Sequence, residues 1–128
     1  MDAFKTHGAF SWSELMTSDP AQAAEFYGSL FGWKLEAMDM PSGKYWVAKV
    51  GEVPVAGLMS NPDPSSKQPS SWSCYVTVDN VDRSIAQCKE LGGTVLMQAM
   101  DVPTVGRMAC IRDKQGAAIN IISYTPRT

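Results

Sequence analysis

Ala23, Phe26, Tyr27, Leu30 and Phe31 recur at the i, i+3, i+4, i+7, i+8 spacing of one helical face. Asp19-Pro20 ahead of them supplies an N-cap followed by proline at the first helical position, and Gly32 supplies a stop. Around this helix the pattern changes to short apolar, β-branched and aromatic runs. Ala9–Ser18 precedes it as a strand. Trp33–Met38, Tyr45–Val50 and Val55–Met59 follow as strands, parted by turns at Pro41-Ser42-Gly43 and Gly51–Pro54. The stretch reads βαβββ.

The second half repeats the first. Ser70–Asp79 (SSWSCYVTVD) matches Phe10–Asp19 (FSWSELMTSD), with Trp12 set against Trp72, Asp19 against Asp79 and, further on, Gly32 against Gly92. Trp72–Val78 is a strand, and Asp79 or Asn80 caps a helix carrying Val81, Ile85, Cys88 and Leu91 that Gly92-Gly93 stops. Thr94–Met100, Arg107–Arg112 and Ala117–Tyr124 are strands, with turns at Pro103–Gly106 and Asp113–Gly116. The two copies, 9–59 and 71–124, are joined by a Pro/Ser-rich linker over 60–70. A twofold repeat this long is a duplicated supersecondary unit, not a solenoid.

Composition narrows the class. The 128 residues suffice for one domain, and the formal net charge of −2, with no basic run, speaks against nucleic acid or an anionic membrane surface as partner. No apolar run approaches the roughly 20 residues of a spanning helix, and MDAFKTHGAF lacks an apolar leader core. Three widely spaced cysteines, Cys74, Cys88 and Cys110, read as reduced thiols of a cytoplasmic protein.

Asp19-Pro20, Ala24-Glu25-Phe26-Tyr27, Leu30-Phe31-Gly32-Trp33 and the closing DKQGAAINI of Asp113–Ile121 resemble the helix and C-terminal signatures of the vicinal oxygen chelate superfamily. That superfamily includes glyoxalase I, extradiol dioxygenases and the fosfomycin- and bleomycin-resistance proteins. The resemblance implies an α+β fold, 1–128 as a single domain of two tandem βαβββ units forming a cupped mixed sheet. It also implies where metal-dependent members hold their cation: on the first and last strand of each unit. The first-strand position, seven residues before the helix-capping Asp, is Trp12 in one unit and Trp72 in the other. The last-strand position is Asn120, with a counterpart at about Leu58. None of these is a strong ligand for a divalent cation. The expectation is therefore no metal and no cofactor.

Alternation puts Phe10, Trp12, Glu14 and Met16 on one strand face, with Trp72 and Cys74 on the matching face of the second unit. Two readings stand for the tryptophans: a stacking platform for a flat or apolar ligand, or closed-core filling. Glu14 is a general base or ligand-binding carboxylate, or a rim group in water. Asn120 contacts a ligand or bonds the backbone, and Cys74 packs in a strand unless a base activates it. The methionines line a pocket or fill the core. The function expected is metal-independent binding of a small, partly apolar molecule in a Trp/Met-lined cup, as in bleomycin-resistance proteins. The alternatives are a glyoxalase-like lyase or isomerase using Glu14 as base, and a module whose cup is filled by its own side chains. The expected assembly is a homodimer, or a monomer if the two units of one chain face each other.

Overall fold

A computed structural model of the chain describes residues 1–40, 43–61 and 68–125. Ten elements follow the expected order: β1 (Phe10–Thr17), α1 (Pro20–Phe31), β2 (Lys34–Met40), β3 (Gly43–Val50), β4 (Val53–Ser60), β5 (Ser71–Thr77), α2 (Val81–Glu90), β6 (Thr94–Val102), β7 (Gly106–Arg112) and β8 (Ala118–Tyr124). The chain is thus α+β, βαβββ twice. Pro41 and Ser42 of the expected first turn, and 62–67 of the expected linker, lie outside the described residues.

The contacts divide the chain into two compact units, Trp12–Ser73 and Met1–Ser11 with Cys74–Thr128. In the first, the strand order is β2-β3-β4-β1. β1 runs parallel to β4, and β4, β3 and β2 are successive antiparallel neighbours. Asp19 caps α1 by accepting the Gln22 N–H at 3.1 Å, with Pro20 at the first position, and Gly32 ends the helix at φ 73°. Leu15, Ala24, Ala48, Ala56 and Leu58 form the core between α1 and the sheet, with Ala23, Tyr27, Trp33, Leu35 and Trp46 packed around it.

The expected apolar stripe of α1 is only partly buried. The helix turns Ala23, Ala24 and Tyr27 inward and leaves Phe26, Leu30 and Phe31 exposed. The small Ala24 sets this rotation, since it is buried against the sheet while the aromatic residue two positions on faces outward. Phe26 and Leu30 line a shallow groove with Gln22, Glu25 and Ser29. No described helix is long and apolar enough to cross a membrane.

The second unit repeats the arrangement in the order β5-β8-β7-β6, with β5 parallel to β8. Asn80, not Asp79, caps α2 by accepting the Arg83 N–H at 3.0 Å. Val78, Val81, Ile85, Ala109 and Ile121 form its core, whereas Leu91, expected on the buried stripe, caps the helix and is exposed. Met1–Ser11 belongs here: Gly8 N–H donates to Thr77 O, Thr77 N–H to Ala9 O, the Thr77 hydroxyl to Ala3 O, and Asp79 N–H to His7 Nδ1. Phe4 meets Tyr124 edge-on at 4.9 Å.

Arg107 on β7 ties α2 to the sheet. Its Nε and Nη2 donate to the two Asp82 carboxylate oxygens at 2.9 Å each, and Nη1 donates to Asp101 at 3.1 Å. The hydrogen bond from Arg107 holds the Asp82 carboxyl below its ordinary value, and backbone N–H groups of Ala117 and Gln115 do the same for Asp113. Groups depressed in the folded state stabilise above their unfolded pKa, and that contribution is lost as pH falls through the folded one. Urea midpoints should therefore fall on acidification below about pH 5, and Asp82→Asn should flatten that slope in part. An unchanged slope in Asp82→Asn would remove the pair from the account of acid stability.

Candidate functional site

The repeat that is visible in the sequence slips by one residue in the structure. Leu15 opposes Leu58 and both enter the α1 core. In the second unit Tyr75 opposes Asn120 and Val76 opposes Ile121, the α2 core residue. The caps slip in the same way, Asp19 corresponding to Asn80. Trp12 therefore corresponds to Ser73, not to Trp72, and Asn120 corresponds to Gly57, not to Leu58.

This corrects the paired-tryptophan platform. The Trp72 indole lies on the α1 side, donating to the Tyr27 hydroxyl at 3.1 Å, with ring centroids 5.3 Å from Tyr27 and 6.2 Å from Trp33. Trp12 points the other way, with Glu14. Cys74 shares the parity of Trp72 and is exposed. The one-residue slip reverses the side chains of β5 relative to the expected alignment. Asn120 is buried on the face opposite Ile121 and donates from Nδ2 to Cys74 O at 3.4 Å. Its antiparallel neighbour Cys110 has a thiol pushed up by burial, unsuited to nucleophilic attack.

What the structure does assemble is a polar chain on the face of the Trp12–Ser73 sheet away from α1. Strand register defines two rows there. One runs Glu14–Gly57–Val47–Glu36 and the next Met16–Met59–Tyr45–Met38, from β1 to β2. Tyr45, in the methionine row, reaches diagonally across Gly57 and donates its hydroxyl to Glu14 Oε2 at 2.8 Å. Trp12 Nε1 donates to the same hydroxyl oxygen at 3.0 Å. Glu14 is only 7 % exposed, so this hydrogen bond to its carboxylate offsets a desolvation that would otherwise be costly. At the rim, Lys49 pairs with Glu36 at 3.0 Å and, chiefly through that hydrogen bond, lowers the Glu36 pKa. The arrangement offers a fixed carboxylate, a phenol and an indole beside flexible thioethers: an acceptor for a ligand donor, or a base, on an apolar adaptable surface.

Tyr45 and Gly57 escaped the sequence reading. Tyr45 looked like any aromatic strand residue, and Gly57 looked like strand filler. The available signal was the glycine itself, in mid-strand and far from any turn.

Among known proteins, the family model of the Glyoxalase/Bleomycin resistance protein/Dioxygenase superfamily matches residues 9–121. The "Putative glyoxylase CFP32" of Mycobacterium tuberculosis is 35% identical over 121 residues, 94% of this chain and 46% of that protein. The anthracycline biosynthesis protein DnrV of Streptomyces peucetius is 33% identical over 127 residues, 89% of this chain and again 46% of that protein. The chain thus spans about half the length of these curated relatives. Among solved structures, the hypothetical protein BH1468 from Bacillus halodurans C-125 aligns at TM-score 0.75 and 14% identity, covering 96% of this chain and 99% of that one. Methylmalonyl-CoA epimerase from Mycobacterium tuberculosis aligns at 0.67 and 18%, covering 93% and 89%. At these identities both show the fold.

The positions where metal-dependent members of the superfamily carry ligands hold, after the one-residue correction, Trp12, Gly57, Ser73 and Asn120. An indole, a missing side chain, a hydroxyl and an amide do not make a donor set for a divalent cation. Among the described residues no group of three His, Cys, Asp or Glu is placed to hold one.

Proposed function

The chain belongs to the Glyoxalase/Bleomycin resistance protein/Dioxygenase superfamily, and on that premise we propose that it binds a flat, partly apolar small molecule on the Trp12–Glu14–Tyr45 face without a metal ion. The observation that carries this reading is the buried Glu14 carboxylate, hydrogen-bonded to a phenol beside Met16, Val47 and Met59, with the charged Glu36–Lys49 pair only at the rim. A carboxylate there contributes nothing to the apolar core on the α1 side, and a ligand that meets both the indole and the carboxylate gives it a use. Among the described residues the Trp12 ring stacks on no other ring, which leaves it for a planar guest. The similarity to a protein of anthracycline biosynthesis supports a fused-ring guest.

Daunorubicin, an anthracycline with its own fluorescence, is the first probe. We expect saturable binding that survives treatment with a chelator, and affinity about tenfold weaker in Glu14→Gln and in Trp12→Leu. Absence of saturable binding, or full affinity in both variants, would sink the proposal. The same carboxylate–phenol contact also favours a second reading, proton abstraction by Glu14 in a lyase or isomerase reaction. In a substrate screen that reading expects turnover that vanishes in Glu14→Gln while binding persists.

A further inference from the structure

Gly57 poses a question that its backbone does not answer. Seven described glycines, among them Gly32 and Gly106, take positive φ, and Gly57 is not one of them. Any L-residue could adopt its conformation. Yet it sits buried in the middle of β4, where glycine weakens a strand and packs nothing. The space explains it. A Cβ at 57 would fall on the Tyr45 hydroxyl and Cζ and lie 2.8 Å from Tyr45 Cε1, and these three Tyr45 atoms are the nearest it would meet. The Tyr45 ring occupies the volume of a side chain at 57. In the other unit the register equivalent is Asn120, which carries its own polar group. Here the polar group at that place is imported from β3.

We propose that Gly57 is the specificity-determining position of the Glu14 face, acting through Tyr45 as a positioning residue. The inference rests on the reading of that face as a ligand site. With glycine at 57 the phenol is clamped between the Trp12 N–H and the Glu14 carboxylate, which fixes the carboxylate. An ionised carboxylate has roughly four lone-pair sites and so takes a ligand donor alongside the Tyr45 hydroxyl. The class selected is a flat apolar molecule bearing one N–H or O–H. A larger residue at 57 expels the phenol, loosens Glu14 and removes the preference for that donor.

The test uses indole and 1-methylindole, which differ in the donor, titrated into nitrogen-15-labelled protein. Four tryptophans give four indole N–H signals, and Trp12→Phe assigns the one that matters. The wild type should prefer indole by about tenfold. In Gly57→Ala and in Tyr45→Phe the preference should collapse to under about threefold with 1-methylindole affinity little changed. Without any ligand, both variants should move the Trp12 indole signal and leave the other three in place. The clash should also vanish with its partner: Gly57→Ala lowers the melting temperature of the wild type and leaves that of Tyr45→Ala unchanged, so the double variant serves if Gly57→Ala alone does not fold. Retained preference for indole in Gly57→Ala, or an unmoved Trp12 signal, overturns the proposal. If the wild type binds neither probe, the ligand-site reading and the selectivity built on it both fall. The Trp12 signal and the melting cycle then still decide whether Gly57 governs Tyr45.

Discussion

Gly106→Ala is expected to destabilise the protein by about 3 to 5 kcal/mol, enough to shift its urea midpoint far below that of any other single glycine-to-alanine change in a turn. Gly106 opens β7 at φ 154° and opposes Tyr124 of β8. A Cβ at this site would overlap the Ser123 carbonyl oxygen and stand 2.8 Å from Tyr124 Cα. Those are backbone atoms of the neighbouring strand, so no rotamer change relieves the contact and the pairing itself has to yield. Gly116 is the control. It has φ 93° but nothing within 4 Å of a built Cβ, so alanine there meets only conformational strain of about 1 kcal/mol. Equilibrium urea unfolding of the two variants side by side makes the comparison. Equal losses would mean that β7 and β8 are not in the register described.

Leu58→Ala should cost about 3 to 5 kcal/mol. Leu58 is 0 % exposed and packs with Leu15, Ala24, Ala48 and Ala56. Three of those four neighbours are alanines, whose methyl groups cannot swing into a vacated volume, so the cavity stays open and the loss falls at the high end for its type. Leu30→Ala, on the exposed side of α1, removes the same atoms from water-facing surface and should change stability by less than about 0.5 kcal/mol. Melting curves that fail to separate the two leucines would contradict the rotation assigned to α1.

The fold was legible because its signals are local. Asp19-Pro20, Gly32 and Gly92 punctuate the helices, and apolar runs between turn residues delimit the strands. The face of β1 was legible too, since Trp12, Glu14 and Met16 alternate with Leu15. The rim reading of Glu14 gives way to a buried carboxylate that accepts from Tyr45. What misled was the recurrence of Ser-Trp-Ser, which aligns Trp12 with Trp72 although the strand pairing and the caps are displaced by one residue. In a strand one residue is a whole face, so a small error of alignment sent Trp72 and Cys74 to the wrong side. The Tyr45 contact was hidden for a different reason. It depends on a diagonal across an intervening strand, and only the register of β1, β4 and β3 together reveals it.

The segment Met1–Ser11 takes its hydrogen bonds from Thr77 and Asp79 and its aromatic contact from Tyr124. During synthesis those partners emerge long after the segment does. Trp12–Ser73 has its own sheet and core, built without that segment. Residues 1–11 are thus made well before the strands that hold them. A bulky fusion attached ahead of them would press on the unit that holds them and leave the Glu14–Tyr45 face free to form.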